Sequence, residues 1–295
     1  MTDSEDRATD RPLGIVLVSA SAAVFGLAGV LTKSIHADPL VITTWRGLVG
    51  GLLIAAYVAW SRRRAPANRP LRLGWRGWLM AATGAAASIA FIAAFKNTYV
   101  ANVAIIYATA PFVAALLGWL IAGERARSKT LLAAVFSLAG VGLMVFSGLG
   151  SGQPLGDGLA LLMTFGSALY MVMIRKFRDT PVVWAGAVSG LILFALGWFV
   201  AEPLAISGRD GLLLAGFGAS FAIASVLWTE GARRLPAAEA GLLGSAEVPF
   251  AILFGWMFLA ELPPAASLIG GVMVLAAVFA HAGHDWRSAR QAAAH

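Results

Sequence analysis

The chain of 295 residues is 59% hydrophobic and 13% charged, with a mean hydropathy of +0.79, a composition far outside that of a water-soluble domain. Cysteine is absent, which excludes disulfides and thiolate metal sites. The net charge of +7 lies in short clusters between apolar runs, so the partner it implies is a lipid bilayer and not a nucleic acid.

The polar segment 1–12 reads as a cytoplasmic tail, with Asp3, Glu5, Asp6 and Asp10 set against Arg7 and Arg11. The apolar run behind it is long and lacks a small-residue cleavage site, so it reads as a retained helix and not a signal peptide. A membrane helix needs about 20 mostly apolar residues. In chain order, such stretches are expected over Leu13–Thr32, Leu40–Trp60, Trp75–Phe95, Ala101–Ala122, Thr130–Ser147, Asp157–Ile174, Pro181–Val200, Leu212–Glu230, Ala238–Ala260 and Ala265–His284. None alternates polar and apolar residues as a barrel strand would, so the expected fold is an all-α integral membrane protein with ten transmembrane helices.

Basic residues favour the connections after even-numbered spans. They include Arg62, Arg63, Arg64, Arg69 and Arg72, then Arg125, Arg127 and Lys129, then Arg175, Lys176 and Arg178, then Arg233 and Arg234. The positive-inside rule then puts both termini, including the tail 285–295, in the cytoplasm. Small residues four apart, such as Gly47 with Gly51 and Gly186 with Gly190, suit close helix packing.

Ala114–Glu124 and Ala251–Glu261 share Ala, Leu, Gly, Trp and Glu in register. Their offset of five spans is odd, so the second copy crosses in the opposite sense. Bases follow Glu124, whereas Leu262, Pro263 and Pro264 follow Glu261. The expected organisation is a five-helix repeat over 13–147 and a second, inverted one over 157–284, around a central cavity. Inverted repeats of this kind are typical of secondary transporters.

Further segments carry a family resemblance. They are Phe25-Gly26 through Thr32-Lys33, Trp45-Arg46, Pro111 through Glu124, and Ser167-Ala168-Leu169-Tyr170 through Arg175-Lys176. With the duplicated Gly-Trp…Glu they resemble the EamA-type branch of the drug/metabolite transporter superfamily over essentially the whole chain. Phe25 and Ser167 stand where that family usually has Trp. The resemblance implies a multi-pass protein of the bacterial inner membrane that exports amino acids or similar small metabolites through a central cavity.

Glu247 lies about ten residues into its span, roughly 15 Å deep and near the bilayer midplane. A carboxylate there normally faces a cavity or a partner, which makes it a candidate for substrate contact or coupling; the alternative is a hydrogen bond that glues helices together. The other candidate cavity residues are Phe25, Ser88, Phe91, Phe95, Tyr107, Ser167, Tyr170, Trp228 and Ser245. Pockets combine apolar walls with a few polar groups, although each aromatic alone is equally suited to packing or an interfacial belt. Pro111 and Pro249 are candidate points of helix bending.

Other charged residues have simpler expected roles. Arg46, about one and a half turns into its span, would snorkel to the periplasmic interface as an anchor. Lys33 and Lys96 would be interfacial anchors or dipole partners. Glu230 would pair locally with Arg233 and Arg234, and Glu124 would be bracketed by Arg125 and Arg127. His281, His284 and Asp285 have metal-like spacing, but at a helix end solvation is the better account. No metal, cofactor or P-loop is expected.

The expectation is therefore a secondary transporter, working by alternating access and able to act as a monomer. An exporter of another drug or metabolite class is the nearest alternative. A non-transporting scaffold subunit would have a filled core, and a membrane enzyme would need convergent catalytic groups that the sequence lacks.

Overall fold

The computed structural model describes residues 2–64, 71–123, 128–148, 153–177, 179–204, 206–235 and 237–293. These form helices and connecting turns, with no strand among them. The first half contains α1 (Thr2–Gly26), α2 (Ala28–Ser34), α3 (Pro39–Arg64), α4 (Gly74–Asn97), α5 (Val100–Tyr107), α6 (Ala110–Ala122) and α7 (Ser128–Gly148). The second contains α8 (Pro154–Lys176), α9 (Val182–Val200), α10 (Gly208–Ala232), α11 (Ala237–Gly244), α12 (Glu247–Leu259) and α13 (Ala265–Ala293).

Seven stretches among the described residues are long and apolar enough to cross a membrane: Arg11–Ser34, Pro39–Arg64, Gly74–Asn97, Val100–Ile121, Pro154–Lys176, Val182–Val200 and Gly208–Ala232. The other three expected spans are represented by the shorter apolar helices Leu131–Leu143, Glu247–Leu259 and Ser267–Ala280. One reason for the difference is a helix break that splits the ninth expected span into α11 and α12. The outward faces carry large apolar side chains, including Leu132, Leu162, Phe199 and Val272. That surface matches hydrocarbon, where helices satisfy their backbone groups internally.

Local chemistry sets the helix ends. Pro154 starts α8 at a position where its missing N–H costs nothing. The Ser207 hydroxyl accepts from the Asp210 backbone N–H at 3.1 Å and caps α10. Gly123 closes α6 in the left-handed region at φ +69°, and Ala260 takes the equivalent position after α12 at φ +51°.

Helices pair across the halves: α3 with α9, α4 with α8, α7 with α13, α1 with α10, α3 with α10 and α4 with α9. At the α3–α9 crossing the backbones touch. A Cβ on Gly190 would lie 2.4 Å from the Gly47 carbonyl oxygen, and one on Gly51 would lie 2.9 Å from that of Ala187. Gly186 faces open space, so Gly47, Gly51 and Gly190 form the close approach without it.

Three expected spans are interrupted. The chain passes from α1 to α2 at Leu27, from α5 to α6 at Ala108-Thr109, and from α11 to α12 at Ser245-Ala246. At each break the backbone tightens to i→i+3 bonding: Leu27 N–H to Val24 (3.2 Å), Thr109 N–H to Ile106 (3.1 Å) and Ala246 N–H to Leu243 (3.1 Å). Pro111 and Pro249 lie in the first turns of α6 and α12, just after the second and third breaks. Pro111 has no N–H to offer the Tyr107 carbonyl, so the helical ladder cannot run through unbroken.

Candidate functional site

The three breaks converge on one internal cavity. Its walls are Phe25 and Gly26 from α1, Phe91 and Phe95 from α4, Val103, Ala104 and Tyr107 from α5, and Glu247, Val248 and Ala251 from α12. About 300 Å³ of space lies between these walls, part of it open to the outside. The enclosed part has room for on the order of one water molecule, so this is a contracted state. Phe91 and Phe95 meet edge to face with centroids 4.8 Å apart and form one apolar side. Opposite chemistry comes from Glu247, the only carboxylate in the wall, which is the first residue of α12. The positive end of that half-helix favours an anion there. No side chain among the described residues bonds to the Glu247 carboxylate, which leaves it free for a ligand or a proton.

Of the residues named from sequence, Phe25, Phe91, Phe95, Tyr107 and Glu247 meet in this cavity. The others do not. Ser88 accepts a hydrogen bond from Arg46 Nη2. Tyr170 packs with Met80, Met173 and Ala185 where α8 meets α4 and α9. Ser167 is half-buried on α8. The Trp228 ring lies against Gly244, where a Cβ would come within 2.4 Å of it, and the side chain is 37% exposed. The Ser245 hydroxyl donates to the Gly241 carbonyl at 2.9 Å, within its own helical turn.

Two charged side chains depart from expectation. Arg46 does not snorkel: it is 6% exposed, with its guanidinium carbon 4.6, 5.3 and 5.6 Å from the ring centroids of Phe221, Phe217 and Phe91. Its position about two turns inside α3 faces the bundle instead of the interface, and the aromatic faces take up its charge. Lys33 is not a free anchor either. It forms an ion pair with Glu261, whose second oxygen accepts the Val100 backbone N–H at 2.8 Å and so caps α5. Lys96 donates to the Ile35 carbonyl. Glu230 pairs with Arg233 at 2.8 Å and Arg234 at 3.0 Å, as the spacing predicts, and also accepts from Tyr57. Glu124, Arg125 and Arg127, and the side chains of His281, His284 and Asp285, lie outside the described residues.

The structure adds two polar clusters that the sequence does not announce. Asp157, fully buried at the start of α8, accepts from Thr98 Oγ1 at 2.7 Å and Asn102 Nδ2 at 3.2 Å. At the other end of the bundle Arg11 grips Glu239 through Nη2 (2.7 Å) and Nε (3.2 Å). Both pairings span distant parts of the sequence, so no local spacing signals them.

An all-helical bundle with lipid-matching outer faces, helices broken within their apolar stretches and a cavity at the breaks fits a polytopic membrane transporter. Two segments, residues 12–146 and 154–281, each match the EamA-like transporter family, and the chain belongs to that family of small-molecule transporters. It is 28% identical over 271 residues to an uncharacterized transporter of Archaeoglobus fulgidus, covering 90% of this chain and 94% of that one. It is 27% identical over 264 residues to Protein RarD of Streptomyces exfoliatus, covering 85% and 80% of the two chains. A solved crystal structure with 20% identity superposes at a TM-score of 0.63, over 91% of this chain and 96% of the other, and shares the fold.

Proposed function

We propose that the chain is a secondary active exporter of small metabolites, amino acids first among them, working by alternating access in the bacterial inner membrane. It acts as a monomer of ten transmembrane helices in two inverted five-helix repeats, with both termini cytoplasmic. The observation that carries this reading is the cavity at the helix breaks. Three half-helix junctions meet there around one unpaired carboxylate, the arrangement by which secondary transporters hold a substrate between two halves.

The helix pairing supports the repeat. Matching the halves in chain order relates α4–α8 to α10–α1 and α3–α10 to α9–α4, while α3–α9 and α7–α13 map onto themselves; all six pairs occur. The duplicated Ala114–Glu124 and Ala251–Glu261 segments and the two family matches follow the same register. In the contracted cavity the walls must separate to admit a metabolite, and the breaks beside Gly26, Tyr107 and Glu247 are where the helices can bend.

Uptake of radiolabelled amino acids into proteoliposomes, with unlabelled competitors and an imposed pH gradient, tests this directly. Saturable, competable uptake is expected, with Glu247→Gln losing the response to the gradient. No uptake of any amino acid by folded protein would remove that substrate class and direct the assay to other metabolites, then to a scaffold role.

A further inference from the structure

Arg46 is a buried cation without a counter-ion. Among the described residues no salt bridge reaches it and its Nε has no hydrogen-bond partner. Its one side-chain hydrogen bond is to the neutral Ser88. The acids of the surrounding bundle are committed elsewhere: Glu261 to Lys33, Glu239 to Arg11, Glu230 to Arg233 and Arg234, Asp157 to Thr98 and Asn102, and Asp210 to Ser207 and the His36 backbone. A charge inside a membrane bundle normally faces a cavity or a partner, because leaving it uncompensated is costly.

The cavity is one ring away. Phe91 belongs to its wall and also lies beneath the Arg46 guanidinium. Phe221, the closest ring to Arg46, meets Phe25 of the same wall edge to face at 6.2 Å. Aromatic faces attract a guanidinium without neutralising it, so a ring that turns aside exposes a full charge, and a substrate anion can offset the contacts given up. The planar fork of arginine matches a carboxylate with two parallel N–H bonds, and the free Nε supplies one edge of that fork.

We propose that Arg46 is the recognition site for the carboxylate of the substrate, uncovered when Phe91 and Phe221 turn aside, with Glu247 facing the substrate's ammonium group from the other wall. The substrate class is then the free α-amino acid, a zwitterion that fits one unpaired cation and one unpaired anion. This rests on the transport reading and deepens it.

Binding is measured apart from transport. Purified protein is titrated with leucine, phenylalanine and methionine, with their amides, and with the corresponding amines lacking the carboxylate, following the apparent unfolding temperature. The free acids are expected to stabilise the wild type saturably, and the amides and amines to bind roughly tenfold or more weakly, as loss of a charge-assisted pair implies. Arg46→Met loses acid binding by a similar factor. Arg46→Lys, which keeps the charge but not the fork, binds the acids at least about threefold more weakly than wild type while still preferring them to the amides. Should Arg46→Met fail to fold, the lysine variant decides alone.

Equal binding of acids and amides to the wild type, unchanged acid affinity in folded Arg46→Lys, or no binding of any carboxylate probe would each overturn the assignment. Uptake of amides as efficient as that of acids would do so while leaving transport standing. Acid binding that depends on Arg46, without uptake into proteoliposomes, would leave Arg46 standing and remove the transport reading.

Discussion

Replacing Glu261 by Gln unlocks one end of the bundle. The carboxylate holds three elements together there: Lys33 of α2, the first N–H of α5 at Val100, and its own position just beyond α12. Both partners are largely sheltered, at 20% and 17% side-chain exposure, so water screens the pair little. Glutamine still accepts from Val100 N–H as a neutral group, but Lys33 loses its anion. Charge-assisted bonds of this kind contribute about 1.5–3 kcal/mol. Losing about 2 kcal/mol from the closed arrangement shifts its balance with the open one roughly thirtyfold. The chain has no cysteine, so a single Ala104→Cys in the cavity wall gives a clean reporter. Its labelling by a membrane-impermeant maleimide, added on the Lys33–Glu261 side, is expected to accelerate by about that factor in the glutamine background. Exchanging the pair, with Lys33→Glu and Glu261→Lys together, is expected to slow labelling only part of the way back, because the ion pair returns while a lysine at 261 has no acceptor for the Val100 N–H. An unchanged rate in a folded Glu261→Gln protein would refute the reasoning.

Other substitutions test packing and polar satisfaction. Gly190→Ala drives a methyl into the Gly47 carbonyl and is expected to destabilise by about 1–3 kcal/mol, read as a lower unfolding temperature, whereas Gly186→Ala in open space is expected to be near neutral. Ala260→Gly relieves a left-handed alanine and is expected to stabilise by a few tenths to about 1 kcal/mol in the same melt. Asp157→Ala removes the acceptor that Thr98 and Asn102 share, leaving them Gln153 Oε1 at 3.0 Å and Thr98 Oγ1 at 3.3 Å, and is expected to cost about 1 kcal/mol in the same melt.

The sequence made the helices legible because a bilayer imposes length and hydropathy on each span. The helical stretch Pro39–Arg64, for example, contains the expected Leu40–Trp60. Five cavity residues were legible too, through depth for Glu247, proximity to Pro111 for Tyr107, and aromatic character for Phe25, Phe91 and Phe95. What was not legible is which way a side chain turns. Trp228 and Phe91 are equally plausible as letters, yet Trp228 covers Gly244 and Phe91 lines the cavity. The duplicated Gly-Trp pair is similar. Gly255 admits Val100 to within 3.1 Å of a would-be Cβ, while Trp119 and Trp256 both point outward. Arg46 was misread because depth along a helix does not reveal its inward face, and the rings that surround it come from α4 and α10, about 45 to 175 residues away in sequence.

The α1–α2 pair is fastened to the α11–α12 pair at both extremes, by Arg11 to Glu239 at one and by Lys33 to Glu261 at the other. Roughly 33 Å of helix separates Arg11 from Lys33. Both pairs are broken between their two fastenings, at Leu27 and at Ser245-Ala246, beside the cavity. A continuous rod would carry the release of one fastening to the other. A jointed one lets either mouth open while the opposite mouth stays shut, so the same discontinuity that frees backbone groups for a ligand also keeps the two doors from opening together.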